Sequence, residues 1–144
     1  MRLEFTIPGD PVGKGRPRFT RTGFAYTDKR TASFENLVRL AFSEKYPDAV
    51  PSELPVSLSI IARHSIPKSW PKKRRIAALC EQLFKTSKPD LDNIIKSVSD
   101  GLNGVAFKDD SQIYELHARK AYAETPSTTV RIILQEGEHN EQTE

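Results

Sequence analysis

Four segments of the chain alternate apolar and polar side chains, which is the pattern of a β-strand with one buried face. Their apolar members are Leu3, Phe5 and Ile7, then Val56, Leu58, Ile60 and Ala62, then Tyr114, Leu116, Ala118 and Tyr122, and finally Val130, Ile132 and Leu134. Pro126 and Ser127 predict a turn between the last two strands, and these strands are therefore expected to form an antiparallel pair.

Three other segments carry apolar residues at intervals of three and four, as amphipathic helices do. The first predicted helix spans roughly residues 31–46. The second starts near Pro71 and keeps its helical spacing through Phe84. The third covers residues 91–102 and can end at Asn103-Gly104 through a left-handed residue.

The predicted elements indicate the fold class. A segment rich in Gly, Pro and Arg, residues 11–26, separates the first strand from the first helix and predicts a loop or short hairpin around Thr22-Gly23. The main elements follow in the order β-α-β-α-α-β-β. This order predicts a single α+β domain over residues 1–135, with helices packed on a mixed sheet of about four strands. Residues 136–144 contain four Glu and no Lys or Arg, and they are expected to form a disordered acidic tail.

The composition argues against three classes of protein. No stretch approaches the ~20 consecutive apolar residues of a membrane span, and the first residues lack the apolar core of a signal peptide. Cys80 is the only cysteine, so an intrachain disulfide is impossible and a reducing cytosol is expected. Three residues rather than four separate Gly9 from Gly13, and Gly15 stands where a P-loop has Ser or Thr, so no nucleotide cofactor is expected.

Positive charge is unevenly distributed, although the formal net charge is only +3. Residues 62–88 contain eight Lys and Arg against one acid, Glu81. A second basic cluster consists of Lys14, Arg16, Arg18 and Arg21. Such clusters suit a polyanionic partner, because each cation that meets a phosphate releases condensed counterions. A solvated basic face explains the charge equally well.

Carboxylates and a lysine surround the start of the third predicted helix. Asp90 and Asp92 are two residues apart, so in an extended segment both side chains would project from the same face. Asp110 can bring a third carboxylate from the loop before the third strand, and Lys96 lies one helical turn beyond Asp92. Oxygen ligands without nearby His or Cys suit Mg²⁺ or Mn²⁺ rather than zinc. A carboxylate-held metal beside an ammonium group is what the hydrolysis of a phosphodiester requires.

Each of these residues also has a purely structural explanation. Asp90 can cap the helix, and Asp92 can complement the helix dipole from the first turn. Lys96 can form an ordinary surface ladder with Asp92 and Asp100. Asp109-Asp110 can be turn residues. Caps and ladders are commoner than metal sites, so spacing alone favours the structural explanation.

The full set of spacings resembles the signature of the RusA family of Holliday-junction resolvases. That family has D-x-D-N-x-x-K at a helix start, then Asp-small-Leu, then D-D-x-Q-[IV] after a short loop. The matching segments are Asp90-Leu91-Asp92-Asn93-Ile94-Ile95-Lys96, Asp100-Gly101-Leu102 and Asp109-Asp110-Ser111-Gln112-Ile113. Residues 11–18 also resemble the entry segment of phage-borne members. The motifs cover residues 88–113, and compatible strands and helices extend over most of the chain.

The resemblance implies roles for the individual residues of the site. It makes Asp90, Asp92 and Asp110 ligands of Mg²⁺, with Mn²⁺ as a substitute, and it makes Lys96 the catalytic lysine. Asp100 fits the pattern without a direct metal contact and is expected to order Lys96.

The resemblance further implies the partners and the reaction. Asp109 is either a turn residue or a partner of a ligand. Members of the family are homodimers that bind four-way DNA junctions and make paired nicks, and a two-fold axis relating two sites naturally gives two symmetric cuts. The implied location is the cytoplasm of a bacterial host, with the chain encoded by the host or by a prophage.

The basic clusters become candidate DNA contacts, with a solvated loop as the alternative for the first cluster. The candidates are Lys14, Arg16, Arg18, Lys72, Lys73, Arg74 and Arg75. Four aromatic residues, Phe19, Phe24, Tyr26 and Trp70, can stack on unpaired bases at a junction centre. Burial in the core is the commoner fate of aromatic side chains, and we expect it for all but at most one of the four.

Two other functions fit the same residues. One is a nucleic-acid-binding module without catalysis, in which the acids serve as caps. The other is a metal-dependent nuclease that acts on RNA or on single strands. Nicking of a labelled junction with and without Mg²⁺ separates the first from a resolvase, and competition between junction, duplex and single strands separates the second.

Overall fold

The computed structural model describes residues 1–15, 18–26 and 28–137, with the Arg18 side chain left aside. Within them, the strands are β1 (Arg2–Pro8), β2 (Arg18–Phe19), β3 (Ala25–Tyr26), β4 (Val56–Ser65), β5 (Ile113–Ala123) and β6 (Ser127–Leu134). The helices are α1 (Lys29–Lys45), α2 (Lys72–Leu79) and α3 (Leu91–Leu102), and a 3₁₀ turn (Asp110–Gln112) immediately precedes β5. None of the helices in these ranges is long and apolar enough to cross a membrane. The predicted acidic tail lies outside the described residues from position 138 onward.

Four strands form a mixed sheet in the order β1-β6-β4-β5, with β4 and β5 parallel and the other neighbours antiparallel. Alternate side chains of the strands form the core on one face, where Phe5, Ile60 and Ile132 are at most 2% exposed. The apolar sides of α1 and α3 complete this core, and Phe42 of α1 meets Phe5 edge to face with ring centroids 5.5 Å apart. The predicted α+β domain with a four-stranded mixed sheet is confirmed.

The last two strands do not pair with each other, so the predicted antiparallel pair is wrong. β4 lies between them, and its Leu58 is opposite Leu116 of β5 and Ile132 of β6. Two strand spacings, about 9.6 Å, therefore separate β5 from β6. The three-residue link 124–126 can cross this gap, because an extended residue spans roughly 3.3 Å. β4 suits the central place because its side chains are buried in succession from Val56 to Leu58.

The second helix is shorter than its apolar spacing predicts. α2 ends at Leu79, and Glu81 follows with a φ of 61°, a left-handed conformation that does not continue a right-handed helix. Ala78 is the only buried residue of α2, whereas Ile76 is 50% exposed and Phe84, beyond the helix, is 76% exposed. The apolar residues of this segment therefore do not form a core-facing stripe.

Two turns that were expected at glycines are confirmed. β2 and β3 form a hairpin around Gly23, which has a φ of 90°. Gly104 follows α3 with a φ of 77°. Glycine adopts this left-handed region without the steric cost that a Cβ would bring.

The expectation that most of the four candidate aromatic residues are buried is wrong. Phe19, Phe24 and Tyr26 on the hairpin are 68%, 72% and 49% exposed. Of the four, only Trp70 packs on another aromatic ring among the described residues. It lies edge-on against Tyr122 of β5 with ring centroids 5.3 Å apart. A two-stranded hairpin is by itself too small to form a core that buries three rings.

Candidate active site

α3 carries two of the four predicted catalytic residues, and its buried side determines where they point. Asp90 has an extended backbone and takes the N-cap position in front of α3. Ile94 is fully buried, so Asp92 and Lys96 lie on the exposed side of the helix. Because residues four apart are neighbours on a helix surface, Asp92, Lys96 and Asp100 form one row, here called the α3 stripe.

A chain of ion pairs links the α3 stripe to α1 and to the turn before β5. Lys96 Nζ is 3.2 Å from Asp100 Oδ1 and 3.8 Å from Asp110 Oδ2. On the other side, Lys14 Nζ is 3.1 Å from Asp100 Oδ2 and 2.8 Å from Glu35 Oε2. Asp100 thus contacts one ammonium group with each of its carboxylate oxygens.

Lys14 and Glu35 form the more enclosed part of this chain, with side chains that are 23% and 11% exposed. Burial alone lowers the pKa of Lys14, but hydrogen bonds from its ammonium group to Glu35 and Asp100 outweigh that effect and raise the pKa above its usual value. Lys14 is therefore charged at neutral pH. The sequence predicts a DNA contact for Lys14, whose ammonium group is engaged here with two carboxylates.

Asp110 reaches α3 because the turn before β5 is anchored through its own side chains. Gln112 Nε2 donates hydrogen bonds of 2.9 Å to two carbonyl oxygens of the segment 52–54, and Gln112 Oε1 accepts one from the Asp109 N–H. Asp109 in turn accepts from the Ser111 N–H at 3.0 Å. Hydrogen bonds from the Ser111 side chain and backbone lower the pKa of Asp109. Asp109 is thus occupied in the turn, while Asp110 faces the α3 stripe.

Lys120 on β5 supports the loop that leads into Asp90. Its Nζ donates to the carbonyl oxygens of Ser87 at 2.8 Å and Pro89 at 3.0 Å. Lys120 also acts on His64 of β4. Burial, and then the positive charges of Lys85 and Lys120, lower the pKa of His64 to about 4. His64 is therefore neutral at pH 7 and adds no charge to the site.

Glu35 and Lys120 belong to the site although no sequence motif marks them. Glu35 shares the buried side of α1 with Val38, and Lys120 pairs across the sheet with the buried Ala62 of β4. A charged residue on the inward side of an element needs a partner, because an isolated charge is costly to bury. A charged residue at an inward-facing position can be recognised in the sequence, but the sequence does not identify its partner.

The segment 11–15 lies against the start of α3 and brings Lys14 to the α3 stripe. The Lys14 N–H donates to the Asn93 carbonyl oxygen at 2.8 Å. A Cβ on Gly13 would come within 3.1 Å of the side chains of Asn93 and Pro89. Glycine therefore permits a close approach here that any larger residue would push apart.

A cleft of about 750 Å³ opens beside Asp90. Its walls are the segment 11–15, the start of α1 with Arg30, and the loop 88–90. Three basic residues, Lys14, Arg30 and Lys88, and two acidic residues, Asp28 and Asp90, line this cleft. A cleft of this size falls in the range of ligand-binding sites.

Asp90, Asp92 and Asp110 are not gathered into one cluster. In the part of the chain that the structure describes, no three His, Cys, Asp or Glu side chains are grouped so that they could hold a metal ion. Within that same part, Asp90 and Asp92 make no side-chain hydrogen bond and no ion pair, and Asp90 does not cap α3 despite its N-cap position. The extended geometry that the sequence predicts for both holds for Asp90 alone, because Asp92 is helical.

The basic residues 72–75 begin α2. The two lysines are exposed, while the guanidinium of Arg74 lies 3.9 Å from the centroid of the Trp70 ring. Arg16 and the side chain of Arg18, two further predicted DNA contacts, lie outside the described residues.

Comparison with known proteins gives the class of this fold and site. The family model for the endodeoxyribonuclease RusA matches residues 8–133, nearly the whole chain. A protein of Bacillus subtilis (strain 168), named "Uncharacterized protein YqaN", is 37% identical over 135 residues, which are 90% of this chain and 94% of that protein. The class is that of nucleases that cut DNA internally. The chain belongs to the RusA endodeoxyribonuclease family, and the resemblance seen in its motifs is confirmed.

Proposed function

We propose that this chain is a Mg²⁺-dependent endonuclease that resolves four-way DNA junctions as a homodimer, by paired symmetric nicks. Membership of the family supports cleavage of DNA, and the negative charge of the site supports dependence on a metal ion. The charged groups of the site are the carboxylates of Glu35, Asp90, Asp92, Asp100 and Asp110 and the ammonium groups of Lys14, Lys96 and Lys120. Five carboxylates against three ammonium groups leave an excess of negative charge, which repels a phosphate backbone unless a cation lies between them.

The carboxylates of Asp90 and Asp92 suit a hard cation. Neither makes a side-chain hydrogen bond or an ion pair with the described residues, and oxygen ligands of this kind favour Mg²⁺, with Mn²⁺ as a substitute. Mg²⁺ is commonly bound by one or two carboxylates together with substrate phosphates and water, so Asp90 at the N-cap and Asp92 in the first turn suffice to begin a site, and Asp110 would be the third ligand. When bound, Mg²⁺ supplies an activated water and stabilises negative charge on the phosphate.

Residues of the chain itself supply the rest of the chemistry. As water adds to phosphorus and the bond to the leaving sugar oxygen breaks, negative charge grows on the non-bridging oxygens. Lys96 donates to one of these oxygens and stabilises that charge. Asp100 orients Lys96 through the 3.2 Å ion pair, and Lys14 with Glu35 holds Asp100 in place.

The basic start of α2 supports contact with the DNA backbone. Residues 72–75 occupy the first turn, where the helix dipole favours acids over cations. This placement weakens the helix, and phosphate contacts explain it, because helix N–H groups and cations both attract phosphates. Trp70 rests on Tyr122, two residues from Lys120, so α2 lies at the same end of the sheet as the loop before Asp90.

The deciding experiment is the incubation of a labelled four-way junction with and without Mg²⁺. We expect paired nicks in two symmetric strands with Mg²⁺, recovery with Mn²⁺, and no product in EDTA. Duplex, single strands and RNA should compete weakly. Equal cutting of these competitors would indicate a general nuclease rather than a junction resolvase. Light scattering after size exclusion measures whether the protein is a homodimer.

One observation favours a second candidate, a nucleic-acid-binding module without catalysis. In the described ranges the predicted ligands are not gathered into a metal-holding group, as expected if they bind no metal. Tight junction binding without nicked product at any Mg²⁺ or Mn²⁺ concentration would support this module.

Junction affinity should fall steeply with salt, because contacts to phosphates release counterions. The double variant Lys72→Ala with Lys73→Ala should bind more weakly and flatten the salt slope by roughly one per lost phosphate contact. Arg16→Ala with Arg18→Ala should do the same, whereas Lys108→Ala should not, because Lys108 belongs to neither cluster and pairs with Glu53. Fluorescence anisotropy at several salt concentrations measures the slope. An unchanged slope in either double variant would make that cluster ordinary solvated surface.

Lys14→Ala should lower the free energy of unfolding by about 1–3 kcal/mol, because it leaves the enclosed Glu35 carboxylate without its ammonium partner. Adding Glu35→Gln should recover part of the loss, since it removes the unpaired charge. Lys108→Ala is the matched control, because its pair with Glu53 is exposed and should be worth less than about 1 kcal/mol. Urea denaturation followed by circular dichroism measures all three. Equal losses from the two lysine variants would contradict a structural role for the Lys14 pair.

A further inference from the structure

The β2–β3 hairpin exposes aromatic rings that the proposed chemistry does not use. Phe19, Phe24 and Tyr26 are 68%, 72% and 49% exposed. Phe19 lies opposite Ala25 and shares its face of the hairpin, whereas Phe24 and Tyr26, the chain neighbours of Ala25, point to the other face. Each face of the hairpin therefore exposes at least one aromatic ring. Single exposed apolar residues are ordinary, but a group of large rings on one hairpin indicates a contact surface.

The hairpin is attached to the rim of the cleft that leads to Asp90. The chain goes into the hairpin from Gly15 and comes back at Asp28. The Gly15 N–H donates to the Thr31 hydroxyl oxygen at 2.9 Å, and that hydroxyl donates to Asp28 at 2.7 Å. All three residues line the cleft. A partner seated in the cleft therefore comes next to the aromatic hairpin.

The charge around the hairpin favours a nucleic acid over another protein surface. Residues 11–27 contain four Lys and Arg and no acid, and Arg21 in the turn is exposed. Single-stranded nucleic acid is bound by this combination, in which cations contact the backbone and aromatic rings stack on bases. A second copy of the same basic hairpin would be repelled rather than attracted.

We propose that Phe19 and Phe24, on the two faces of the hairpin, stack on unpaired bases on either side of the branch point of the DNA, and that the hairpin thereby selects branched DNA over continuous duplex. Bases inside a duplex are already stacked on each other, so the rings gain contact only where pairing is interrupted. This inference rests on the proposed function for its DNA substrate, but it concerns binding and does not require cleavage.

The test uses the full chain in EDTA and a four-way junction with 2-aminopurine at the branch point. The double variant Phe19→Ala with Phe24→Ala should bind this junction roughly five- to a hundredfold more weakly than the parent. It should also lose the change in 2-aminopurine fluorescence, while affinity for a duplex of the same sequence stays within about twofold. Phe19→Leu with Phe24→Leu should fail in the same way, because leucine keeps the apolar surface without the ring, and Phe24→Trp should retain binding.

Two controls make the outcome decisive. Phe84→Ala removes a ring that is 76% exposed outside the hairpin and should leave junction affinity at the parental level. Because the replaced rings are exposed, circular dichroism should show every variant folded. Parental affinity in the alanine and leucine double variants would overturn the proposal, as would an equal loss in Phe84→Ala. Loss of the dimer in light scattering would also overturn it, since the rings would then hold a second copy. A parent that binds the probe through these rings but does not nick it after Mg²⁺ or Mn²⁺ is added would refute the proposed function and leave this inference standing.

Discussion

Asp90→Asn should abolish junction cleavage, with a loss of at least about 10²-fold in single-turnover rate at saturating Mg²⁺. The change removes one of the two carboxylates at the start of α3 that have no hydrogen-bond or ion-pair partner among the described residues, while keeping the shape of the side chain. Asn is as good as Asp at an N-cap, so folding should be unaffected. Junction affinity in EDTA should equal or exceed that of the parent, because one carboxylate that repels phosphates is gone.

The same result is expected for Asp92→Asn and Asp110→Asn. Asp109→Asn is the matched control, because Asp109 is occupied in capping the turn and Asn can accept the same hydrogen bond. The control should therefore cleave at close to the parental rate. Any of the other variants that nicks at the parental rate does not bind metal through that residue. A control as inactive as Asp110→Asn would add Asp109 to the ligand set.

Hydrophobic periodicity predicted the strands and the helices of the main fold because burying one face imposes a period of two or of 3.6 residues. It did not predict strand order. β5 and β6 show the same alternation whether they are neighbours or flank β4, and the short link 124–126 allows both arrangements. The choice depends on how β4 packs against each, which is information from a distant part of the chain.

Periodicity also cannot tell whether an apolar side is covered. Val98 of α3 is fully buried, whereas Ile76 of α2 has the same helical spacing and is half exposed. The difference lies in which element packs against each helix. α3 lies so close to α1 that a Cβ on Gly101 would come within 2.8 Å of Val38. α2 has no comparable neighbour among the described elements. The exposed rings of the hairpin escaped prediction for the same reason.

The residues proposed to carry the chemistry, and Asp100 beside Lys96, were predicted from their spacing and family motif, whereas the supporting residues Glu35 and Lys120 were not. The capping role of Asp109 could be anticipated from the local sequence, because its partners Ser111 and Gln112 lie within three residues. Lys14 and Glu35 are 21 residues apart, and nothing local joins them. The predicted metal ligands themselves stay a prediction until metal binding is measured.

Lys96→Ala should slow single-turnover junction cleavage by roughly 10²–10³, with folding little changed. The two explanations of Lys96 differ most in this quantity. As a member of a surface ladder, Lys96 contributes about 0.3–0.5 kcal/mol to stability per ion pair, and its loss would hardly affect the rate. As a donor to the scissile phosphate, it stabilises charge that exists only in the transition state. Its position between Asp100 and Asp110, with a side chain that is 55% exposed, leaves it open to an incoming phosphate.

Lys96→Arg should restore little of the rate, because the planar guanidinium cannot reproduce the compact ammonium between two carboxylates. Junction affinity should fall only slightly in both variants, since one phosphate contact among many is lost. The measurement is cleavage of a labelled junction by folded protein at saturating Mg²⁺, with Lys108→Ala as the control for loss of an exposed lysine. A Lys96→Ala rate within a few-fold of the parent would return Lys96 to the surface ladder. Catalysis would then depend on the metal alone, and the chain of ion pairs through Asp100 would serve only to join α3 to α1.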